Sequence, residues 1–122
     1  TLFYLGCGRV FEGTMHQMWL SLLKLRSLPE DTTVYCGHEY TISNMKFAKY
    51  IDNDNALLNE VSLEIKSKRE KALPTIPFNL GVEKKINPFL RADDDNFIQS
   101  VGLRSNNASE SFGKIRLKKD NF

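Results

Sequence analysis

The residues of this chain with chemistry to place are two histidines, two cysteines and a group of cations near the end. His38 lies in "VYCGHEYT", Val34 to Thr41, after a short apolar run and a glycine and before a carboxylate and a phenol. That is just past the end of a strand, where α/β folds gather functional groups, and an imidazole there has two uses, as metal ligand or as base. The competing reading is a histidine hydrogen-bonded in a turn, and spacing alone favours it. Cys36-x-His38 has a faint metal spacing, but no second Cys/His cluster completes a tetrahedral site, because Cys7 is remote and His16 falls on another segment. A Cys/His nucleophilic pair is conceivable from Cys7 or Cys36. Both sit in apolar stretches, where a free cysteine usually packs as a small hydrophobe.

Lys114, Arg116, Lys118 and Lys119 crowd the final segment. On a helix, Arg116 and Lys119 are three residues apart and share a face, which suits a carboxylate or a phosphate. The plainer alternative is that cations near a helix C-terminus are favoured by its dipole and simply solvated. A basic helix that binds nucleic acid would need interleaved aromatics and a wider basic footprint, so no nucleic-acid partner is expected. The balance of 17 Lys and Arg against 15 Asp and Glu, a net charge of +2, is too mild to point to a polyanion.

The elements that must position these groups follow from the rest of the sequence. At 122 residues, 41% hydrophobic and 26% charged, the composition is that of one soluble globular domain or two very small ones. No charged and apolar leader is evident, and no apolar run nears the roughly 18 to 20 residues that span a bilayer, so a reducing cytoplasm and no membrane partner are expected. "TLFYLGCG" reads as a strand buried on both faces, beginning at Thr1 without an initiator methionine, as in a piece whose sheet partners lie elsewhere. "GCGRVFEGT" then gives a tight loop that matches neither the Walker nor the dinucleotide spacing. Thr14 and Gln17 form a capping box for a helix with Met15, Met18, Trp19, Leu22 and Leu23 on its core face. "TTVYCG" reads as a second short strand. After Thr41, "ISNMKFAKYI" and "NALLNEVSLEIKSKREKAL" are helices, "PTIPFNLGVEKKINPFLR" an extended docked loop, "ADDDNFIQSV" a short helix and "ASESFGKIRLKKDNF" a last helix.

Four stretches in order, "TLFYLGCGRVFEGT", "LPEDTTVYCGHEYTISNMKFA", "INPFLR" and "IRLKKDNF", resemble the second half of glyoxalase II, the hydroxyacylglutathione hydrolases of the metallo-β-lactamase superfamily. The likeness runs from Thr1 to Phe122. It implies an α/β (α+β) fold class: residues 1–40 as the C-terminal portion of an αββα metallo-β-lactamase sandwich, and 41–122 as an all-helical, glutathione-binding domain. It further implies hydrolysis of S-D-lactoylglutathione and similar 2-hydroxyacyl thioesters by a hydroxide held between two divalent metals, zinc, iron or manganese.

By the same resemblance His38 ligates one of those metals, while the other ligands belong to an upstream histidine motif and an aspartate placed just before Thr1. Arg9, Val10 and Phe11 correspond to the glutathione-binding loop, and His38, Glu39 and Tyr40 to contacts near the metals. On the last helix Arg116, Leu117, Lys118 and Lys119 form the glycine-carboxylate end of the pocket, with Arg116 and Lys119 carrying the charge. Some members have lysine where this chain has Arg9, which keeps the charge, and tyrosine where it has Phe11, which removes a hydroxyl donor. The implied partners are a glutathione thioester and the missing N-terminal half of the same protein, without which the piece is expected to be inactive, poorly stable or associated. The alternative is a non-catalytic remnant or interaction module that kept this half only.

Overall fold

The computed structural model describes all 122 residues. The chain is mostly helical, with two antiparallel sheets of two short strands each. β1 (Leu2–Phe3) and β2 (Gly6–Cys7) form a hairpin in which Leu2 faces Cys7 and Phe3 faces Gly6. Leu5 makes the turn at φ 61°, in the left-handed region that disfavours a leucine, and its side chain is fully buried. The single strand expected over "TLFYLGCG" is therefore corrected to a hairpin. No other strand flanks it; the run folds back on itself, and side chains from elsewhere in the chain take up the backbone groups left over at the turn. The expected sandwich portion over residues 1–40 is corrected likewise: no αββα layer is present in this chain.

α1 (Met15–Arg26) begins with the predicted box, in which Thr14 Oγ1 accepts the Gln17 N–H at 3.1 Å and Gln17 Oε1 accepts the Thr14 N–H at 2.8 Å. β3 (Thr33–Val34) pairs with β4 (Phe78–Asn79), a strand inside the stretch expected to be an extended loop. That expectation is corrected further by α4 (Leu80–Ile86) and a 3₁₀ turn, Pro88–Leu90. Asparagine caps account for both. Asn79 accepts the Val82 N–H and Asn87 the Phe89 N–H, while Pro88 opens the 3₁₀ turn, where an N–H is not required. α2 (Thr41–Ile51), α3 (Ala56–Glu70), α5 (Asp95–Ser100) and α6 (Ala108–Asp120) stand where the periodicity put them, and Asn55, Asp94 and Asn107 cap the last three.

One apolar cluster joins α1, α2, α6, β2 and the 3₁₀ turn around Phe89, whose ring centroid is 6.0 Å from those of both Phe47 and Phe112. A second packs Leu5 and Ile86 between α2 and α3. Residues on both sides of position 40 contribute to each cluster. No helix is long and apolar enough to cross a membrane.

The hairpin lies close on α2. A Cβ on Gly6 would stand 2.6 Å from the Asn44 amide group, which holds the Tyr4 carbonyl. Gly6→Ala is expected to push Asn44 off that carbonyl and lower stability by about 1–3 kcal/mol, read as a shift of the urea midpoint at unchanged slope.

Candidate functional site

Two groups of side chains meet at the hairpin from opposite sides. On one side, the loop after β3 carries His38 and Tyr40, whose rings stack at 4.9 Å with 6° between planes. The Phe3 ring meets both edge-on, at 6.0 Å from His38 and 5.1 Å from Tyr40. Both residues are exposed, and no hydrogen bond within the chain occupies the ring nitrogens of His38. Beside them a groove of about 460 Å³ is lined by Thr1, Phe3, Thr33, Tyr35, Cys36 and His38 among others.

Glu39 holds this loop in place. Its carboxylate accepts the Thr75 N–H at 2.6 Å and the Thr75 hydroxyl at 2.8 Å, and Thr75 in turn bonds Thr41 at the start of α2. Partial burial pushes the Glu39 carboxyl up, but the Thr75 and Thr41 hydrogen bonds and the Arg69 charge outweigh it and hold the group below the ordinary carboxylate range. Glu39 is thus committed to the fold of the loop that presents His38.

On the other side stands a cationic group. Arg116 is 3% exposed; it donates to the Cys7 carbonyl at 2.6 Å and to Asp120 Oδ1 from Nε and Nη2 at 3.0 and 2.9 Å, with its guanidinium 5.0 Å above the Phe89 ring. Arg9 approaches the same Asp120 oxygen at 3.7 Å and is itself mostly exposed. Lys119 Nζ donates to Asn44 Oδ1 at 3.2 Å; half-burial first, and the Arg116 charge second, lower its affinity for a proton. Burial pushes the Cys7 thiol up to about 11 despite the neighbouring Arg116, so it is no nucleophile at neutral pH.

The structure therefore brings together Arg9, Arg116 and Lys119 around Asp120, and His38 with Tyr40 around Phe3. Val10 packs against the first core cluster, and Phe11 projects into solvent at 85% exposure. Leu117 and Lys118 lie on the exposed face of α6, Lys118 above the Tyr50 ring at 5.8 Å. His16 is exposed and bonded to Ser109 at 2.6 Å. Sequence reasoning passed over Asp120, although its place four residues after Arg116 is the spacing of a helical ion pair. It also passed over Asn44, which ties Lys119 to the hairpin and carried no local signal.

The donor set for a metal is incomplete. No group of three or more His, Cys, Asp or Glu in this chain is placed to hold an ion, and one exposed imidazole does not make a centre for two. Chemically, the arrangement offers a cluster of three cations, of which Arg9 is mostly exposed and Lys119 half-buried, and at Phe3 an imidazole at the edge of a groove with a phenol stacked on it.

Residues 39–122 match the family model described as the C-terminus of hydroxyacylglutathione hydrolase. A protein of Rhodopseudomonas palustris named hydroxyacylglutathione hydrolase is 54% identical over 121 residues, 99% of this chain and 48% of the relative. Relatives of the same name in Bradyrhizobium sp. and Rhodospirillum rubrum are 52% and 50% identical, over 98% and 100% of this chain and 47% and 48% of their own lengths. The chain spans about half the length of these curated relatives.

Proposed function

Because the chain belongs to the hydroxyacylglutathione hydrolase family and carries its C-terminal region, we propose that its complete polypeptide hydrolyses 2-hydroxyacyl thioesters of glutathione. S-D-lactoylglutathione is the proposed substrate, which makes the reaction the last step of methylglyoxal detoxification. Water adds to the thioester carbonyl, the C–S bond breaks, and glutathione leaves as a thiolate that takes up a proton, giving the 2-hydroxy acid. A thiolate is a good leaving group and needs no strong acid. This chain supplies the glutathione side of the site.

The observation that carries the reading is the convergence of Arg9 and Arg116, from opposite ends of the chain, on one carboxylate, with Lys119 beside them. Such a group suits the glycine carboxylate of glutathione. His38 lines the groove, with Tyr40 stacked on its ring, and the acyl group belongs at that end. Two divalent metals, zinc or else iron or manganese, are proposed for the complete polypeptide, with His38 as one ligand and the rest from sequence beyond these 122 residues. Two unpaired thiols, Cys7 and Cys36, support a reducing compartment, and a cytoplasmic location is proposed. The incomplete donor set favours a second statement: the 122-residue chain alone is inactive.

The test is steady-state hydrolysis of S-D-lactoylglutathione by the complete polypeptide. Lys119→Ala is expected to raise KM about 3- to 10-fold with kcat little changed, as loss of one charge-assisted contact made equally in ground and transition states requires. No hydrolysis by the metal-loaded wild type would refute the activity, and an unchanged KM in the variant would refute the place given to Lys119.

A further inference from the structure

The α4 sequence "LGVEKKI" puts Glu83 in register with Leu80 and Ile86, on the face turned to the core. It is fully buried. Its Oε2 accepts the Leu5 N–H at 2.6 Å and an N–H of the Asn87 amide at 3.0 Å, and its Oε1 has no partner. Asn87 also donates to the Gly6 carbonyl at 3.1 Å, and Asn44 to that of Tyr4 at 3.0 Å. Three successive residues of the hairpin turn are thus held from outside the hairpin, and the strained one, Leu5, is held by the carboxyl.

No cation faces this carboxyl. On its own helix Lys84 reaches the Leu28 carbonyl and Lys85 is exposed. From the hairpin comes the Tyr4 phenol, itself pushed up by burial, by Glu83 and by Glu64 of α3; β4 presents Phe78 and Asn79, which do not titrate. An uncompensated carboxylate in such a place is costly, so the group takes a proton. Burial pushes Glu83 up from 4.5 to about 8 against the pull of the Leu5 and Asn87 hydrogen bonds. Oε1, which accepts nothing from the protein, is the oxygen free to carry the proton.

We infer that Glu83 is a positioning residue for the loop Arg9 to Phe11, which leaves β2 directly with the Gly8 N–H on the Thr1 carbonyl at 2.8 Å: as a neutral carboxyl inside the core it clamps the Leu5 turn of that hairpin, and on losing its proton it lets the hairpin loosen. That the loop meets substrate rests on the function proposed above. A carboxyl raised in the folded state favours folding fully below its unfolded value near 4.5, and the contribution is lost as pH rises through about 8.

The experiment is carried out on the complete polypeptide, with glutamate side chains labelled at the carboxyl carbon for NMR. One carboxyl is expected to titrate several pH units above the others and to be missing from Glu83→Gln, an isostere that keeps the acceptor for Leu5 and cannot ionise. Protection of the Leu5 amide from hydrogen exchange, corrected for intrinsic rates, should fall about tenfold or more from about pH 6 to about pH 9 in the wild type and stay level in the variant. The KM for the thioester should rise over the same range in the wild type only, with the kcat profiles of the two proteins alike. Titration of Glu83 alongside exposed glutamates, or level Leu5 protection in the wild type, overturns the clamp. A KM that ignores the loss of protection overturns the positioning role. If Glu83→Gln does not fold, the wild-type titration and Leu5 protection decide. If the polypeptide hydrolyses no glutathione thioester, the proposed function falls, while these two spectroscopic readouts still decide the clamp.

Discussion

Arg116→Ala is expected to lower the stability of the folded chain by about 2–4 kcal/mol, the sum of a charged hydrogen bond to a buried carbonyl and the loss of a packed side chain, since its partner Asp120 is at the surface. The guanidinium is 3% exposed, and its donors hold the Cys7 carbonyl and Asp120. Truncation leaves that buried carbonyl without its donor, leaves Asp120 with only the looser Arg9 contact, and empties the space above Phe89. Arg116→Lys should recover only part of the loss, since one ammonium cannot serve both acceptors as a planar fork does. Lys119→Ala, at a half-exposed position, should change stability by about 1 kcal/mol or less. The check is urea denaturation of the three variants against wild type. If Arg116→Ala unfolds with the wild-type midpoint, Arg116 is not what holds the Cys7 strand to α6. Kinetic effects of Arg116 variants have to be measured on folded protein, because the residue supports the Cys7 strand and the loop that follows it.

His38→Ala should behave in the opposite way. His38 is exposed, its ring nitrogens bond nothing in the chain, and its contacts are one stacked and one edge-on ring. Stability should move by about 1 kcal/mol or less, within the range of surface aromatic pairs. In the complete polypeptide, turnover should fall about 100-fold or more and bound metal should drop by close to one equivalent, since loss of a ligand exceeds the roughly 10- to 100-fold effect of outer-shell changes. Metal analysis of purified variant and wild type, beside their hydrolysis rates, decides it. Full metal content in His38→Ala would overturn the ligand assignment.

Much of the scaffold was legible because its signals are local. The Thr14 and Gln17 box and the helices of "ISNMKFAKYI" and "NALLNEVSLEIKSKREKAL" rest on signals that act within a few residues, and they stand in the structure as read. The hairpin at Leu5 was not legible, since its turn is left-handed at a leucine and held by Glu83, 78 residues away. The stretch after Pro74 misled for another reason: its prolines suggested an extended run, yet Pro88 occupies a helical first turn and Asn79 and Asn87 supply caps. At the site, the family resemblance is what singled out His38, Arg116 and Lys119; residue types alone favoured a turn histidine and solvated cations. What they could not show is that Arg116 is buried, since burial depends on Phe89 and Cys7 arriving from distant parts of the chain.

The bond from Arg116 to Cys7 spans 109 residues, and that from Glu83 to Leu5 spans 78. During synthesis the Leu5 turn therefore has no carboxyl to receive it until α4 has emerged, and the cationic end does not exist until α6 has. Loop closure over such separations is slow compared with helix formation, and domains form in the order their parts leave the ribosome. The cationic end is consequently the last part to assemble, and a chain cut short before α6 carries the loop of Arg9 without the support that Arg116 gives it.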